Sequence, residues 1–280
     1  MDFRIIALDI DGTFLNDASE IPPENTAALH AAAARGLHIV FASGRMSESV
    51  RRAPDAIGID GPIISYNGAM VRDSRAAGDA VLFHLPLISK YADEIIDYTR
   101  AEHLQLNYYL EERLYAWDNP ALRGLAGLYS SRTGSVYNFL PDLAQFKGCS
   151  PTKLIILADP TDASQPNPRH RDELYEIWKA KWGDEVNIIC TDPEYLEFMH
   201  REANKGAALA HIAAHFGVAR EQVIAIGDGR NDTAMVAWAG LGVAVANAHE
   251  EVKSAAKYVT EKDNNQAAVA EVIERFVKIG

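Results

Sequence analysis

Short apolar runs that end on polar loops, each followed by a stretch with helical spacing, set the architecture open to this chain. The first run is "FRIIALDI", residues 3–10, β-branched and too short for a helix, which fits a buried strand. "PPENTAALHAAAARG" follows, with proline early, alanine-rich helical spacing, and Gly36 where a helix C-cap belongs. "LHIVFASGR" then reads as a second buried strand that ends in a polar loop. Strand, helix, strand at this spacing is a βαβ unit, so the two strands should be parallel neighbours joined by a right-handed crossover.

The C-terminal part repeats this logic. "NKGAALAHIAAHFG" reads as a helix, "QVIAIGDG" as a strand with a polar end, "DTAMVAWAG" as a helix and "LGVAVANA" as another strand. The expected fold class is α/β, with a doubly wound parallel sheet. In open sheets of that kind ligands sit beyond the carboxyl ends of the strands. "DIDGT", "ASGR" and "GDGRND" should therefore share one rim. The middle differs: a helix ("SKYADEIIDYTRAEH"), alternating aromatic strands around "LEER", then "TKLIILA", the polar loop "DPTDASQPNPRHR", a helix ("DELYEIWKAKWG") and two strands flanking Asp192 and Pro193. Alternation and adjacent hairpins predict a smaller antiparallel sheet with helices on one face. The expected division is a core of residues 1–83 and 200–280, with an α+β domain of residues 84–199 inserted in it.

Composition narrows the function classes. A formal net charge of -12, without a basic run, argues against nucleic acid or an anionic membrane as partner. No apolar run approaches the length of a membrane span. Cys149 and Cys190 are far apart and lack the spacing of a zinc or redox motif, so reduced thiols in a cytoplasmic protein are expected. The N-terminus shows no leader pattern. An acidic protein that handles an anion must do so with local positive charge or a metal.

Asp9 and Asp11 close the first strand two residues apart. Neighbouring anions repel, so a cation or a proton has to resolve the pair. A calcium loop fails on glycine placement, because Phe14 stands where the sharp-turn glycine should be. A turn with two solvated aspartates is the ordinary reading of such a motif alone. In extended backbone, however, residues i and i+2 point the same way, so both carboxylates should converge at the sheet rim. Ser43 and Gly44 follow the second strand and offer a hydroxyl and backbone amides to an anion. Lys205 opens a helix, where the dipole disfavours a cation, and is accounted for if it and the helix end both face an anion. In "IGDGRND" a dinucleotide fingerprint would need glycine at Asp232. Asp228 and Asp232 instead add two carboxylates to the rim, and an oxygen-only donor set favours Mg2+ over zinc or copper.

Taken in order, "DIDGT", "SGR", "NKG" and "GDGRND" resemble the haloacid dehalogenase superfamily of phosphotransferases. "YNGAMV", the inserted middle and "VAVANAHEEVKSAAKYVT" are similar to its Cof-type, sugar-phosphatase-like branch. The resemblance implies a Mg2+-dependent phosphatase acting on a small phosphate monoester. Asp9 would be the nucleophile and Asp11 the general acid and base. Ser43, Gly44, Lys205 and Asn231 would bind phosphate. Mg2+ would be held by the Asp9 and Asp228 side chains and the Asp11 carbonyl, with Asp232 as ligand or support. The inserted domain would be a cap that covers the site and selects substrate, with Asn107, Tyr109, Tyr115, Arg113 and Lys153 as candidate contacts and Glu197 and His200 near its hinge. The chain departs from many relatives at Val245-Ala246, at "NQAAV" and at Arg230, none a catalytic position. A phosphomutase and a non-catalytic phospho-ligand-binding protein are the alternatives. Sequence leaves the oligomeric state open.

Overall fold

The structure is a computed structural model that describes residues 2–75, 79–158, 169–191 and 193–278. The chain divides into two compact units, Met1–His84 with Asn204–Gly280 and Leu85–Ala203. The crossings fall after residues 84 and 203, against 83 and 199 read from sequence, because the strands that approach each crossing run on to His84 and His200.

In chain order, the first unit opens with β1 (Ile5–Asp9), α1 (Pro23–Ala34), β2 (His38–Ala42), α2 (Ser47–Ala56), β3 (Pro62–Ser65), β4 (Met70–Asp73) and β5 (Ala80–His84). The second unit supplies α3 (Ser89–Ala101), β6 (Gln105–Leu110), β7 (Arg113–Trp117), α4 (Arg123–Thr133), β8 (Tyr137–Leu140), β9 (Lys153–Leu157), α5 (Arg171–Trp182), β10 (Val186–Cys190) and β11 (Tyr195–His200). The chain then returns with α6 (Lys205–His215), β12 (Val223–Gly227), α7 (Thr233–Trp238), β13 (Leu241–Ala244), α8 (Glu250–Ala255), β14 (Tyr258–Val259) and α9 (Ala268–Phe276).

The first unit holds an eight-stranded sheet ordered β14-β13-β12-β1-β2-β3-β4-β5. Every pairing from β14 to β3 is parallel, whereas β3-β4 and β4-β5 are antiparallel. The parallel strands read as continuous apolar runs because both faces are covered, and Ile5, Ile6, Ala7 and Leu8 are all fully buried. Each of the larger side chains among them contributes about 1.5–3 kcal/mol on burial. Pro23 starts α1 at a position where its missing N–H costs nothing. Gly36, at φ +84, follows the helix in the left-handed conformation that lets the chain turn into β2. The registers Leu8↔Ile226 and Leu8↔Phe41 align the carboxyl ends of β12, β1 and β2 on one edge. The sequence pattern did not reveal the β3-β4-β5 meander, whose strands are short and separated by few residues.

The second unit is a six-stranded sheet ordered β10-β11-β9-β6-β7-β8. It is antiparallel except at β7-β8, which is parallel. That corrects the fully antiparallel expectation: α4 and β8 had no clear pattern in sequence, and α4 is the crossover that makes the last pair parallel. One face carries Leu106, Tyr108, Leu154, Ile156, Leu196 and Phe198 and packs with Ile95, Ile96, Leu174 and Trp178 from α3 and α5. Tyr115 belongs to this side, its ring 4.8 Å from that of Phe146, which makes it a packing residue. The expected loop before α5 lies outside the described residues at 159–168, as does Asp192.

Candidate functional site

Each element of the sheet edge delivers one part of the site. Asp9 is the last residue of β1 and is buried. The chain then folds back, with Phe14 and Leu15 both donating backbone bonds to the Ile10 carbonyl at 3.1 and 2.9 Å. Gly12 adopts φ +77 in this turn, and a Cβ there would lie 2.5 Å from Asp228 Oδ2. Only glycine fits so close an approach. Thr13, fully buried, donates its hydroxyl to Asp228 Oδ1 at 2.6 Å, fixing that carboxylate beside β1.

Lys205 is the first residue of α6, whose N-cap Asn204 accepts from the Ala207 amide at 2.8 Å. The Lys205 ammonium is fully buried and lies 2.5 Å from Asp9 Oδ1 and 2.5 Å from Asp232 Oδ1. Asp232 has its second oxygen engaged as well, because Oδ2 accepts from the Asp228 and Gly229 amides at 3.1 and 2.9 Å. Asp232 thus ties the loop after β12 to Lys205. Oxygens of Asp9, Asp228 and Asp232 all lie within 4.8 Å of one another.

Burial raises the Asp9 pKa well above the ordinary carboxylate value, with Asp232 and Asp228 adding to the rise and Lys205 opposing it. Asp228 is pushed up to about 6 by burial and by the Asp232 charge, against the Thr13 hydrogen bond. Burial alone would lower Lys205, but the carboxylates of Asp232 and Asp9 overcome it and hold the ammonium charged. Three carboxylates facing one ammonium, with oxygen donors only, form a set that suits a hard divalent cation.

Asp11 corrects one expectation. Its side chain does not join the group of Asp9, Asp228 and Asp232; it is half exposed and pairs with Arg45 Nη2 at 2.6 Å. β1 ends at Asp9, so the two-residue alternation of extended backbone stops short of Asp11. Arg45, within "SGR", is the partner that the motif alone does not reveal. Ser43, just after β2, is buried, and its Oγ accepts from the Arg45 amide at 3.2 Å, which leaves the hydroxyl proton to donate elsewhere. Gly44 lies against Asn67, where a Cβ would come within 2.8 Å of Oδ1. Asn231, in the turn after β12, donates Nδ2 to Asn67 Oδ1 at 2.9 Å. The structure therefore gathers buried Asp9, Lys205 and Asp232 with half-buried Asp228, places Ser43 and Gly44 on the neighbouring loop, and links Asn231 to that loop. Arg45, Thr13 and Asn67 are the additions. Arg230 is exposed and faces Glu251.

In the second unit Asn107, Tyr109, Lys153 and Glu197 are all buried. Lys153 Nζ lies 3.3 Å from Glu197 Oε2, Tyr109 and Tyr129 share a hydroxyl contact of 2.5 Å, and Asn107 Oδ1 accepts from Tyr137 at 2.9 Å. Arg113 is exposed, and His200 Nδ1 accepts from the Glu202 amide.

A parallel-sheet core with aspartates at the ends of two adjacent strands, and a lysine opening a helix beside them, is an arrangement suited to chemistry on an anion. Residues 6–273 match the haloacid dehalogenase-like hydrolase family, and the chain belongs to it. As an enzyme it stands with the family's phosphatases. Among curated relatives it is 30% identical to the candidate phosphatase YxeH of Bacillus subtilis, over 98% of each chain. It is 28% identical to YcsE of the same organism, a 5-amino-6-(5-phospho-D-ribitylamino)uracil phosphatase, over 99% of this chain and 97% of that one. Among solved structures, TM0651 from Thermotoga maritima superposes with a TM-score of 0.85 at 30% identity, covering 99% of this chain and 98% of the other.

Proposed function

We propose that this protein is a Mg2+-dependent phosphomonoester hydrolase that works through an aspartyl-phosphate on Asp9. The observation that carries this reading is the buried group in which one ammonium, Lys205, serves two carboxylates while a third, Asp228, lies within reach. Asp9 and Asp228, with the Asp11 carbonyl, would hold the cation. Both oxygens of Asp232 are already used, so its part is to orient Lys205 and the loop. When bound, Mg2+ supplies positive charge that offsets the repulsion between an anionic ester and a carboxylate nucleophile.

The chain's own groups account for the rest. An Asp9 oxygen attacks phosphorus as the bond to the leaving alcohol oxygen breaks, and Asp11 gives that oxygen its proton. Water then attacks the phosphoryl group, Asp11 takes its proton, and Asp9 and inorganic phosphate are released. Lys205, Ser43 and Asn231 bind phosphoryl oxygens. Arg45, paired with Asp11, sets where that carboxylate stands before substrate arrives.

The substrate proposed is a small phosphorylated metabolite of the sugar phosphate class. Support comes from the phosphorylated ribityl compound in the name of YcsE and from the resemblance to the Cof-type branch. The inserted unit is proposed to select it. Cys149 and Cys190, both free thiols, support a cytoplasmic setting.

A panel of phosphomonoesters assayed for inorganic phosphate release, with Mg2+ and with chelator, tests the reading. Highest kcat/KM on a sugar phosphate, lost on chelation, is expected. Transfer of the phosphoryl group to an acceptor without phosphate release would instead indicate a phosphotransferase, and chelator-insensitive turnover would remove the metal from the reading.

A further inference from the structure

The turn between β3 and β4 is strained in a way a short connection does not require. Tyr66, Asn67 and Gly68 have φ of 50, 52 and 97°, three left-handed residues in succession. Left-handed backbone is rare in a bulky residue such as tyrosine, and here Tyr66 is fully buried. Strain of this kind persists only where the surroundings enforce it.

Those surroundings are three loops of the phosphoryl site. The Asn67 amide donates to the Ser43 carbonyl at 3.1 Å, and its side chain lies so close to Gly44 that a Cβ there would be 2.8 Å away. Asn67 Oδ1 accepts from Asn231 Nδ2 at 2.9 Å. Gly68 rests on the start of α6, where a Cβ would stand 2.2 Å from the Asn204 carbonyl and 2.8 Å from the Lys205 nitrogen. One turn thus touches the backbone or side chain of Ser43, Gly44, Asn231 and Lys205, which lie far apart in sequence.

We infer that Asn67 is a positioning residue for phosphoryl binding: its side chain fixes the Asn231 amide against the Ser43–Gly44 loop, so that the groups which bind the phosphoryl oxygens are spaced before substrate arrives. Groups that must otherwise be ordered on binding weaken affinity, so pre-organised spacing acts mainly on substrate and product binding. Asparagine suits the position twice. It tolerates left-handed backbone, and its amide oxygen supplies the acceptor. The inference rests on the assignment of Ser43, Lys205 and Asn231 as phosphate binders.

Asn67→Gly separates the two contributions, since glycine keeps the backbone conformation and removes only the side chain. KM for p-nitrophenyl phosphate and Ki for inorganic phosphate, both with Mg2+, are measured for Asn67→Gly, Asn231→Ala and the double variant, per folded molecule. Asn67→Gly should melt within a few degrees of wild type and raise Ki and KM about tenfold, with a smaller change in kcat. The double variant should be little worse than Asn231→Ala alone, because the two side chains act as one unit. Wild-type Ki and KM in Asn67→Gly, or effects that simply add in the double variant, overturn the inference. Wild-type KM in Asn231→Ala would instead remove Asn231 from the phosphate site, a failure of the functional reading that is separate from this one.

Discussion

Both units bury charge against a sheet, the core unit at its edge, yet they do so with opposite balance. In the inserted unit, among the described residues, Lys153 pairs with Glu197, and Thr191 donates to the other Glu197 oxygen at 3.0 Å. In the core unit one lysine meets two carboxylates, and a third stands within 4.8 Å. A matched pair can be part of the packing. A mismatched group carries unfavourable charge that only a proton, a cation or a ligand relieves, and such groups mark sites of chemistry. Clustered excess charge of one sign therefore says more about function than burial of charge does.

The largest expected effect tests the core side of this contrast. Asp9→Asn removes the proposed nucleophile and should lower kcat by about 10⁴-fold or more. Asparagine matches aspartate in shape, and burial raises the Asp9 pKa and so disfavours its charge, so the melting temperature should stay within a few degrees of wild type. Retained Mg2+-dependent phosphate release in this variant would end the nucleophile assignment.

The next effect belongs to the inserted unit and has the opposite character. Lys153→Met removes the ammonium paired with the buried Glu197 carboxylate and should cost about 3 kcal/mol or more in urea unfolding. Its kcat per folded molecule should change little. An unchanged unfolding curve with a raised KM would break the comparison, because Lys153 would then be a substrate contact and its pairing with Glu197 incidental.

Asp11→Asn follows, with an expected loss on the order of 10²-fold in kcat, since only proton transfer is removed. Arg45 loses its charged partner, but the pair is substantially exposed and contributes little to stability. A more reactive leaving group needs less proton donation, so the deficit should shrink on an aryl phosphate relative to an alkyl one. Equal deficits on both would argue against the acid role.

Legibility from sequence followed the same division. β1, α1, β2, α6, β12 and β13 were readable because strands buried on both faces are uninterrupted apolar runs and the helices between them carry start and stop residues. The carboxylates were readable because charge at the end of such a run is out of place. Arg45 and Thr13 were visible within their motifs but silent, since a pairing across loops 34 or 215 residues apart leaves no local pattern. Asn67 was equally silent, because its role depends on a left-handed turn that sequence alone does not reveal. In the inserted unit, α4 and the parallel β7-β8 pair escaped because half-buried helices with glycines lack strong periodicity. Tyr115 and Tyr109 lie on the same aromatic strand pair, and only the register put one in the packed face and the other beside Tyr129.

The smallest effect is thermal and concerns pH. A carboxylate whose folded pKa is raised binds more protons in the native state than in the unfolded one, so stability falls as pH rises through the interval between the two values. For Asp228 that interval runs from 3.8 to about 6, and Asp9 shifts in the same direction. Without metal, the contribution of this group to stability should therefore decline from about pH 4 to above pH 6. In the proposed function Mg2+ would bind the deprotonated carboxylates, so it should recover what deprotonation loses. The rise in melting temperature on adding Mg2+ should be near zero at pH 5 and a few degrees at pH 7.5. Reading the difference between curves with and without Mg2+ removes the titration of every carboxylate that does not touch the cation, the Glu197 pair included. An equal increment at both pH values would mean that Mg2+ binds without competing with protons. The mismatch of charge at the rim would then not be what draws the cation in.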